Sequence, residues 1–187
     1  MVFFDPTKGP SDRARKQKKQ LAPRKFRTLD GLRVGLLSNW GQKWLGDESF
    51  RPVHEELNRR GAVVYTHGSA PGCCGGSFVP GVSETTIEYN TDVSRAIISL
   101  IASGTADRTP NVRYVMSHGG GTMPSLIERF NNLPNSDRRY ASFTSEGVVA
   151  ELRRFHYDTA IITHPAPLAA LTTLVPMSQI VFGCVSE

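Results

Sequence analysis

Residues 112–122, VRYVMSHGGGT, decide how this sequence is interpreted. The apolar, β-branched first half predicts a β-strand, and the strand ends where His118 enters three consecutive glycines. Glycine permits positive φ and close approach of a ligand or another segment, and a rigid strand end fixes where the imidazole lies. Met123 and Pro124 then begin a helical pattern, with proline in the first turn, where its missing N–H has no cost. The stretch predicts one βα unit with a functional site at its turn.

The same alternation of strand and helix recurs on both sides of this unit. Helices are predicted over 55–61, 93–103, 123–130, 147–153 and 167–174, and strands over 62–66, 112–116, 154–160 and 179–183, with 32–37 as a possible fifth strand. Such alternation predicts a parallel sheet covered by helices. In α/β barrels the chemistry lies at the carboxyl ends of the strands. We therefore expect His67, His118 and Asp158 to share one edge of the sheet.

These segments resemble the C-terminal half of the amidohydrolase-related, metal-dependent decarboxylases, over about residues 46–183. Within that family the sequence is most similar to the 6-methylsalicylate and aminocarboxymuconate semialdehyde decarboxylases, which remove carbon dioxide from aromatic or unsaturated acids. The resemblance implies an α/β fold: a partial (β/α)8, TIM-type barrel of about the last four βα units, with one extra strand and a basic N-terminal tail. The motifs that carry it are Phe50–His67, Cys73-Cys74, Val79–Gly81, Ile87–Tyr89, Arg95–Ile97, Ser103–Thr105, Ser117–Thr122, Tyr157–Ala160 and Ser178–Gly183.

The resemblance also implies roles for three residues. His67 matches a metal-binding histidine of the family, although Gly68 follows it where the family commonly has proline. His118 matches the catalytic histidine that activates water or transfers a proton beside the metal. Arg129 matches an arginine that binds the substrate carboxylate, either within one chain or across a subunit interface. The implied cofactor is a divalent metal, with zinc as the first candidate, and the implied substrate is a small aromatic or unsaturated carboxylic acid.

Two departures from the family pattern concern the metal ligands. The family's His-x-His pair does not occur in this sequence, and Val185 stands where the family's last strand carries an aspartate. An isopropyl group cannot ligate a metal ion, so we expect at most weak metal binding and impaired or absent activity. Tight metal binding would instead point to Cys73, Cys74 or His164 as the missing ligands. Because the pattern fails abruptly after Gly183, we expect a spliced transcript to restore the aspartate.

The first 45 residues differ in charge from the remainder. They contain 11 Lys/Arg and 3 Asp/Glu, a net charge of +8, whereas residues 46–187 have a net charge of −3. The short runs Asp5–Pro10, Leu21–Arg24 and Thr28–Asn39 resemble the opening segment of the UGSC-like family. We therefore divide the chain into a basic tail with a short UGSC-like segment, 1–45, and a partial amidohydrolase-related domain, 46–187. Without aromatic interleaving or a nucleic-acid motif, the basic run at 16–19 is interpreted as a solvated tail, with no nucleic-acid partner.

Three classes of function remain open at this point. The first is a decarboxylase by lineage. The second is a non-catalytic fragment or interaction protein that pairs with a full-length homologue. The third is a metal-dependent hydrolase. A complete barrel needs at least about 200–250 residues, so open strand edges and an uncovered apolar interior are expected to favour homo-oligomers. No apolar run is long enough to span a membrane and no secretory signal is present, so we expect a cytoplasmic protein.

The remaining polar residues have structural interpretations. His54 and His156 are expected to be surface or packing residues, and His164 lies in a loop that could approach the site. Asp158 either orients a histidine or caps the next helix. The segment Pro134–Arg139 is predicted to be a surface loop between βα units.

Overall fold

Five short parallel strands form the sheet at the centre of the fold. The computed structural model describes residues 34–39, 42–69, 79–140 and 147–184. The strands lie in the order β1-β2-β3-β4-β5, with every neighbouring pair parallel, as in a (β/α) barrel. The predicted parallel sheet and its fifth strand are therefore confirmed. The strands are β1 (Val34–Leu37), β2 (Val63–Thr66), β3 (Arg113–Met116), β4 (His156–Asp158) and β5 (Ile180–Val181).

Helices lie between successive strands in the chain. They are α1 (Arg51–Arg59), α2 (Glu84–Ala102), α3 (Thr105–Arg108), α4 (Met123–Asn131), α5 (Leu133–Ser136), α6 (Val148–Leu152) and α7 (Pro165–Leu174). Short 3-10 helices occur at Glu48–Phe50, His118–Gly120, Arg138–Tyr140 and Met177–Gln179. None of the helices in the described ranges is long and apolar enough to cross a membrane.

The two faces of the sheet differ in burial. Val64 pairs with Tyr114 in the register of β2 and β3, and both side chains are buried in one apolar core with Ile97 of α2. On the opposite face Leu36 pairs with Tyr65, and Leu36 is 70% exposed. In a closed barrel this second face would line the interior. The described strands thus form an open part of a barrel whose inner face is accessible at β1.

The helix α2 is longer than the sequence predicted. The prediction began at residue 93, whereas the helix begins at Glu84, where the Ser83 hydroxyl accepts a hydrogen bond from the Thr85 N–H at 3.4 Å. The first half of α2 is polar and has little apolar periodicity, so the hydrophobic pattern does not predict it as helix. Its N-terminal serine followed by an acidic residue is the signal that could have located the start.

His54 is a packing residue, as the sequence suggested. It is 2% exposed; its Nε2–H donates to the Leu45 carbonyl at 2.8 Å, and its Nδ1 accepts from the Tyr114 hydroxyl at 3.0 Å. A carbonyl can only accept, so this pattern fits the neutral ring with its N–H at Nε2. Burial lowers the pKa of His54, in agreement with a neutral imidazole.

The prediction of a surface loop over Pro134–Arg139 is wrong. Residues Leu133–Ser136 form α5, and Arg138–Tyr140 form a 3-10 helix. Proline in the first turn of a helix loses no hydrogen bond, so Pro134 begins α5 rather than preventing it. The strand predicted over 154–160 is also shorter, because only His156–Asp158 pair with their neighbours.

Candidate active site

Two histidines meet at the carboxyl edge of the sheet. His67 follows β2 directly, and His118 follows β3 after one serine. Their ring centroids are 5.1 Å apart, with an interplanar angle of 71°. The expectation that these residues share one edge is met, because parallel neighbouring strands end side by side.

The glycines after His118 allow this loop to pack against α2. His118 itself has a φ of 52°, and Gly119, Gly120 and Gly121 all have positive φ. A Cβ on Gly121 would lie 1.9 Å from the Asn90 carbonyl oxygen, which no side chain could tolerate. The loop therefore needs glycine both for its conformation and for its approach to the helix, as the sequence indicated.

Both imidazoles have one ring nitrogen fixed by a backbone carbonyl. The His67 Nδ1–H donates to the Gly68 carbonyl at 2.7 Å, and the His118 Nδ1–H donates to the Ala160 carbonyl at 3.2 Å. Because a carbonyl can only accept, each neutral ring has its lone pair at Nε2. No described residue forms a hydrogen bond with either Nε2. The pair therefore presents two basic nitrogens that can bind a metal ion or move a proton.

A third polar group, Ser117, adjoins the pair. Its side chain is fully buried, and its hydroxyl has no hydrogen-bond partner within the part of the chain that the structure describes. Buried hydroxyl groups in a protein core almost always have a hydrogen-bond partner. The carboxyl edge thus contains polar atoms that the described residues leave unsatisfied, as expected of a ligand site.

Asp158 holds the main chain beside the histidine pair. It is fully buried, and its Oδ1 accepts from the backbone N–H of His118 at 2.7 Å and of Ala160 at 3.0 Å. Its Oδ2 accepts from the Tyr65 hydroxyl. Of the two roles that the sequence allowed, Asp158 therefore acts on the histidine loop, whereas the helix that follows β4 is capped by His164. Burial, followed by the hydrogen bond to Asp158, raises the pKa of Tyr65.

Sequence reasoning missed Tyr65. It lies two residues before His67 on β2, so the two side chains leave the strand on the same face. That spacing is the signal that could have identified it. A tyrosine beside a predicted metal ligand was interpreted only as part of an apolar strand.

Arg129 lies on the helix that follows the His118 loop. It is exposed on α4 and lines a polar surface cleft of about 560 Å³ with Glu128, Asn131, Asn132 and Asn135. No described contact joins it to His67 or His118. Its role in binding a substrate carboxylate stays a prediction.

The described residues do not form a complete metal site. Over residues 34–39, 42–69, 79–140 and 147–184, no group of three or more His, Cys, Asp or Glu side chains could hold a metal ion. His164 caps α7 by accepting the Ala166 N–H at 3.2 Å. Cys73, Cys74 and Val185 lie outside the described residues. The residues present thus supply at most two neighbouring imidazoles, and a divalent metal with three or four protein ligands does not fit them alone.

The sequence profile of the amidohydrolase family matches residues 4–184. The chain belongs to the amidohydrolase family. The match extends over both sides of residue 45, and the division of the chain at that position stays a prediction. The match gives no support to the UGSC-like interpretation of residues 1–45, which stays a prediction.

Individual relatives are decarboxylases. The chain is 31% identical over 156 residues to the 6-methylsalicylic acid decarboxylase of Penicillium expansum, a match covering 82% of this chain and 47% of that protein. This confirms the predicted resemblance. The chain spans between 28% and 47% of the length of the curated relatives it matches.

Solved structures of decarboxylases share the fold. The 5-carboxyvanillate decarboxylase of Sphingomonas paucimobilis superposes with a TM-score of 0.72 and 19% identity over 97% of this chain and 54% of that one. A dihydroxybenzoic acid decarboxylase from Polaromonas, solved with manganese and the inhibitor 2-nitroresorcinol, gives a TM-score of 0.63 and 15% identity over 80% of this chain and 48% of that one. These matches confirm the predicted α/β fold and partial barrel. They also show that a divalent metal occurs in an enzyme of this fold.

Proposed function

We propose that the His67–His118 site decarboxylates a small aromatic carboxylic acid with the help of a divalent metal ion, zinc first among the candidates. The observation that carries the proposal is the pair of imidazoles at the carboxyl edge, each with Nδ1 fixed and Nε2 directed to no described partner. Similarity to a 6-methylsalicylic acid decarboxylase supports the substrate class.

The reaction needs a proton donor at the carbon that loses the carboxylate. The bond between that carbon and the carboxyl carbon breaks, and neutral carbon dioxide leaves. The electron pair of the broken bond stays on the ring carbon and forms a C–H bond with the delivered proton. His118 can accept this proton from water at Nε2 and then pass it to the substrate carbon, because its Nδ1–H is already bonded to the Ala160 carbonyl. The described residues supply an incomplete set of metal ligands, so no step of this reaction is attributed to the metal ion.

The first experiment measures product formation from 6-methylsalicylate over a wide range of added zinc or manganese. With only two imidazoles to bind the ion, we expect turnover only at high metal concentration and none at trace metal. His118→Ala should abolish this turnover, whereas the matched control His164→Ala should retain it, because His164 only caps α7. A folded protein without turnover at any metal concentration would favour the non-catalytic alternative.

Arg129 is proposed to bind the substrate carboxylate from a neighbouring subunit, since its side chain is exposed on α4. A mixture of the inactive variants His118→Ala and Arg129→Ala tests this directly. Subunit exchange should partly restore activity, because some mixed sites have both an intact histidine and an intact arginine. A mixture as inactive as its components would contradict a contribution from the neighbour.

A second candidate function is interaction with another chain. It is favoured by the accessible inner face, where Leu36 is 70% exposed, and by β1 and β5 at the two edges of the described sheet. Unpaired edges and exposed apolar faces promote association. We expect a second copy of this chain, or a full-length homologue, on that face. Light scattering should show an oligomer that Leu36→Lys weakens; a monomer at all concentrations would contradict self-association.

A further inference from the structure

One hydrogen bond crosses the inner face of the sheet between strands that are not neighbours. Tyr65 of β2 pairs with Val115 of β3, which in turn pairs with His156 of β4. Two strand spacings separate β2 from β4, roughly 9.6 Å. The Tyr65 hydroxyl nevertheless reaches the carboxylate of Asp158, two residues beyond His156. This contact, the Tyr65–Asp158 bridge, passes over β3 toward the carboxyl edge.

The bridge connects the two histidines of the site. Tyr65 lies on β2, two residues before His67, which directly follows that strand. Asp158 accepts the main-chain N–H of His118 at 2.7 Å with the oxygen that does not contact Tyr65. A single carboxylate thus ties the strand that carries one histidine to the loop that carries the other.

The same carboxylate also controls the ring of His118. Its Oδ1 accepts the Ala160 N–H at 3.0 Å, and the Ala160 carbonyl accepts the His118 Nδ1–H at 3.2 Å. Ile162 N donates to the Thr159 carbonyl at 3.3 Å, and Ile161 has a φ of 57°, so residues 159–162 have the features of a type II turn. Such a turn sets the direction of its central carbonyl, here that of Ala160.

The surroundings leave Asp158 little freedom to move. A Cβ on Gly183 would lie 2.7 Å from the carboxyl carbon, so the chain after β5 packs directly on the carboxylate. The only non-glycine residues with positive φ in the described ranges are His118 and Ile161, and both belong to this network. Strained residues persist where the surrounding structure fixes them, which here is the network around Asp158.

We propose that Asp158, held by Tyr65, is a positioning residue that keeps the His118 ring opposite His67 with its proton on Nδ1 and its lone pair on Nε2. Its kinetic consequence rests on the proposed decarboxylation, but the tautomer of His118 does not. The two can therefore be tested separately.

The tautomer is measured by two-dimensional NMR of the histidine ring nitrogens, at a pH well above the ordinary histidine pKa. In the unaltered chain His118 should show the Nδ1–H form. Tyr65→Phe removes one hydroxyl while keeping the ring, and we expect the His118 signals to shift toward the Nε2–H form or to broaden. The His54 signals should not change.

Tyr114→Phe is the matched control, because it removes a buried hydroxyl from the neighbouring strand that is bonded to His54 instead. It should alter the His54 signals and leave those of His118 as they were. Identical His118 signals in Tyr65→Phe and the unaltered chain would overturn the proposal. So would an equal response of His118 to both variants, which would indicate general loosening of the core.

Substitutions of Asp158 give a second test. Asp158→Asn keeps a carbonyl oxygen for the two backbone N–H groups and should preserve the Nδ1–H tautomer, whereas Asp158→Ala should lose it. Where turnover is measurable, Tyr65→Phe should lower kcat about tenfold with KM unchanged, as expected for misplacement of a proton donor. An altered tautomer without any turnover in the unaltered chain would support the positioning role and contradict the proposed function; a Nδ1–H form retained in Asp158→Ala would contradict the positioning role.

Discussion

His54 and His118 are almost equally buried, at 2% and 5% exposure, yet they serve different parts of the molecule. Both ring nitrogens of His54 are bonded within the core, to Leu45 and Tyr114. Among the residues that the structure describes, only Nδ1 of His118 has a hydrogen-bond partner, and the His118 backbone has a positive φ. Burial therefore does not distinguish a structural histidine from a candidate catalytic one. The useful criterion is whether hydrogen-bonding capacity and backbone conformation are satisfied locally.

The same contrast extends to the segments around the two histidines. His54 lies on a regular helix whose contacts reach β3 and the preceding loop. His118 lies in a glycine loop that a single carboxylate and one neighbouring helix hold in place. The core is stabilised by many apolar contacts, whereas the His118 loop depends on a few specific hydrogen bonds and close backbone contacts. Substitutions should therefore have different effects in the two regions.

The largest effect is expected for Gly121→Ala. The new Cβ would lie 1.9 Å from the Asn90 carbonyl oxygen and would stand on a residue with a φ of 65° and a ψ of −126°. Overlap with backbone and unfavourable φ together should lower the free energy of unfolding by about 4 kcal/mol, measured by urea denaturation.

Gly61→Ala is the control for Gly121→Ala. Gly61 also has a positive φ, of 58°, but nothing lies within 4 Å of a Cβ there. Only conformational strain remains, and a loss of about 1 kcal/mol is expected. Equal losses at both positions would mean that the loop does not pack closely against α2.

The second effect compares the histidines themselves. His54→Asn leaves the Leu45 carbonyl and the Tyr114 hydroxyl without their partners and removes buried volume, so a loss of about 3 kcal/mol is expected. His118→Asn loses one hydrogen bond but places a residue that tolerates positive φ at that position, and should change stability by no more than about 1 kcal/mol. Urea denaturation of both variants measures the difference. A larger loss at His118 would reverse the assignment of the two roles.

The third effect is the pH dependence of stability. Burial lowers the pKa of His54 and of His156. As the pH falls, these histidines therefore bind protons in the unfolded chain before they do so in the folded chain. The free energy of unfolding should therefore fall as the pH drops through about 6.5, and continue to fall toward the lowered pKa values of the folded protein. In His54→Asn the slope should be shallower. An unchanged slope would show that His54 is not the source.

Much of this fold could be predicted from the sequence, because alternating strands and helices with short connections allow few topologies. The histidine edge followed from the strand ends at His67 and His118. The Tyr65–Asp158 bridge did not, since it joins residues 93 positions apart and depends on how the sheet curves. Arg129 is exposed on α4, and its role at the site stays a prediction. The helix α5 was missed because proline and asparagine favour turns as well as first helical turns.

The smallest effect is expected for Ile161→Asn, which tests whether strain is stored only at the edge. Ile161 has a φ of 57° although it is β-branched, and its side chain is 74% exposed, so little packing is lost on replacement. Asparagine tolerates this conformation, and the free energy of unfolding should rise by about 1 kcal/mol. The control is Ile87→Asn, the same substitution at an exposed position within α2, where no strain is relieved and a loss of a few tenths of a kcal/mol is expected from helix propensity. If both variants lose stability alike, as measured by thermal and urea unfolding, Ile161 is not strained. A gain in stability at Ile161 alone would show that backbone strain at Ile161 lowers the free energy of unfolding. The turn that directs the Ala160 carbonyl toward His118 would then be strained in the unaltered chain.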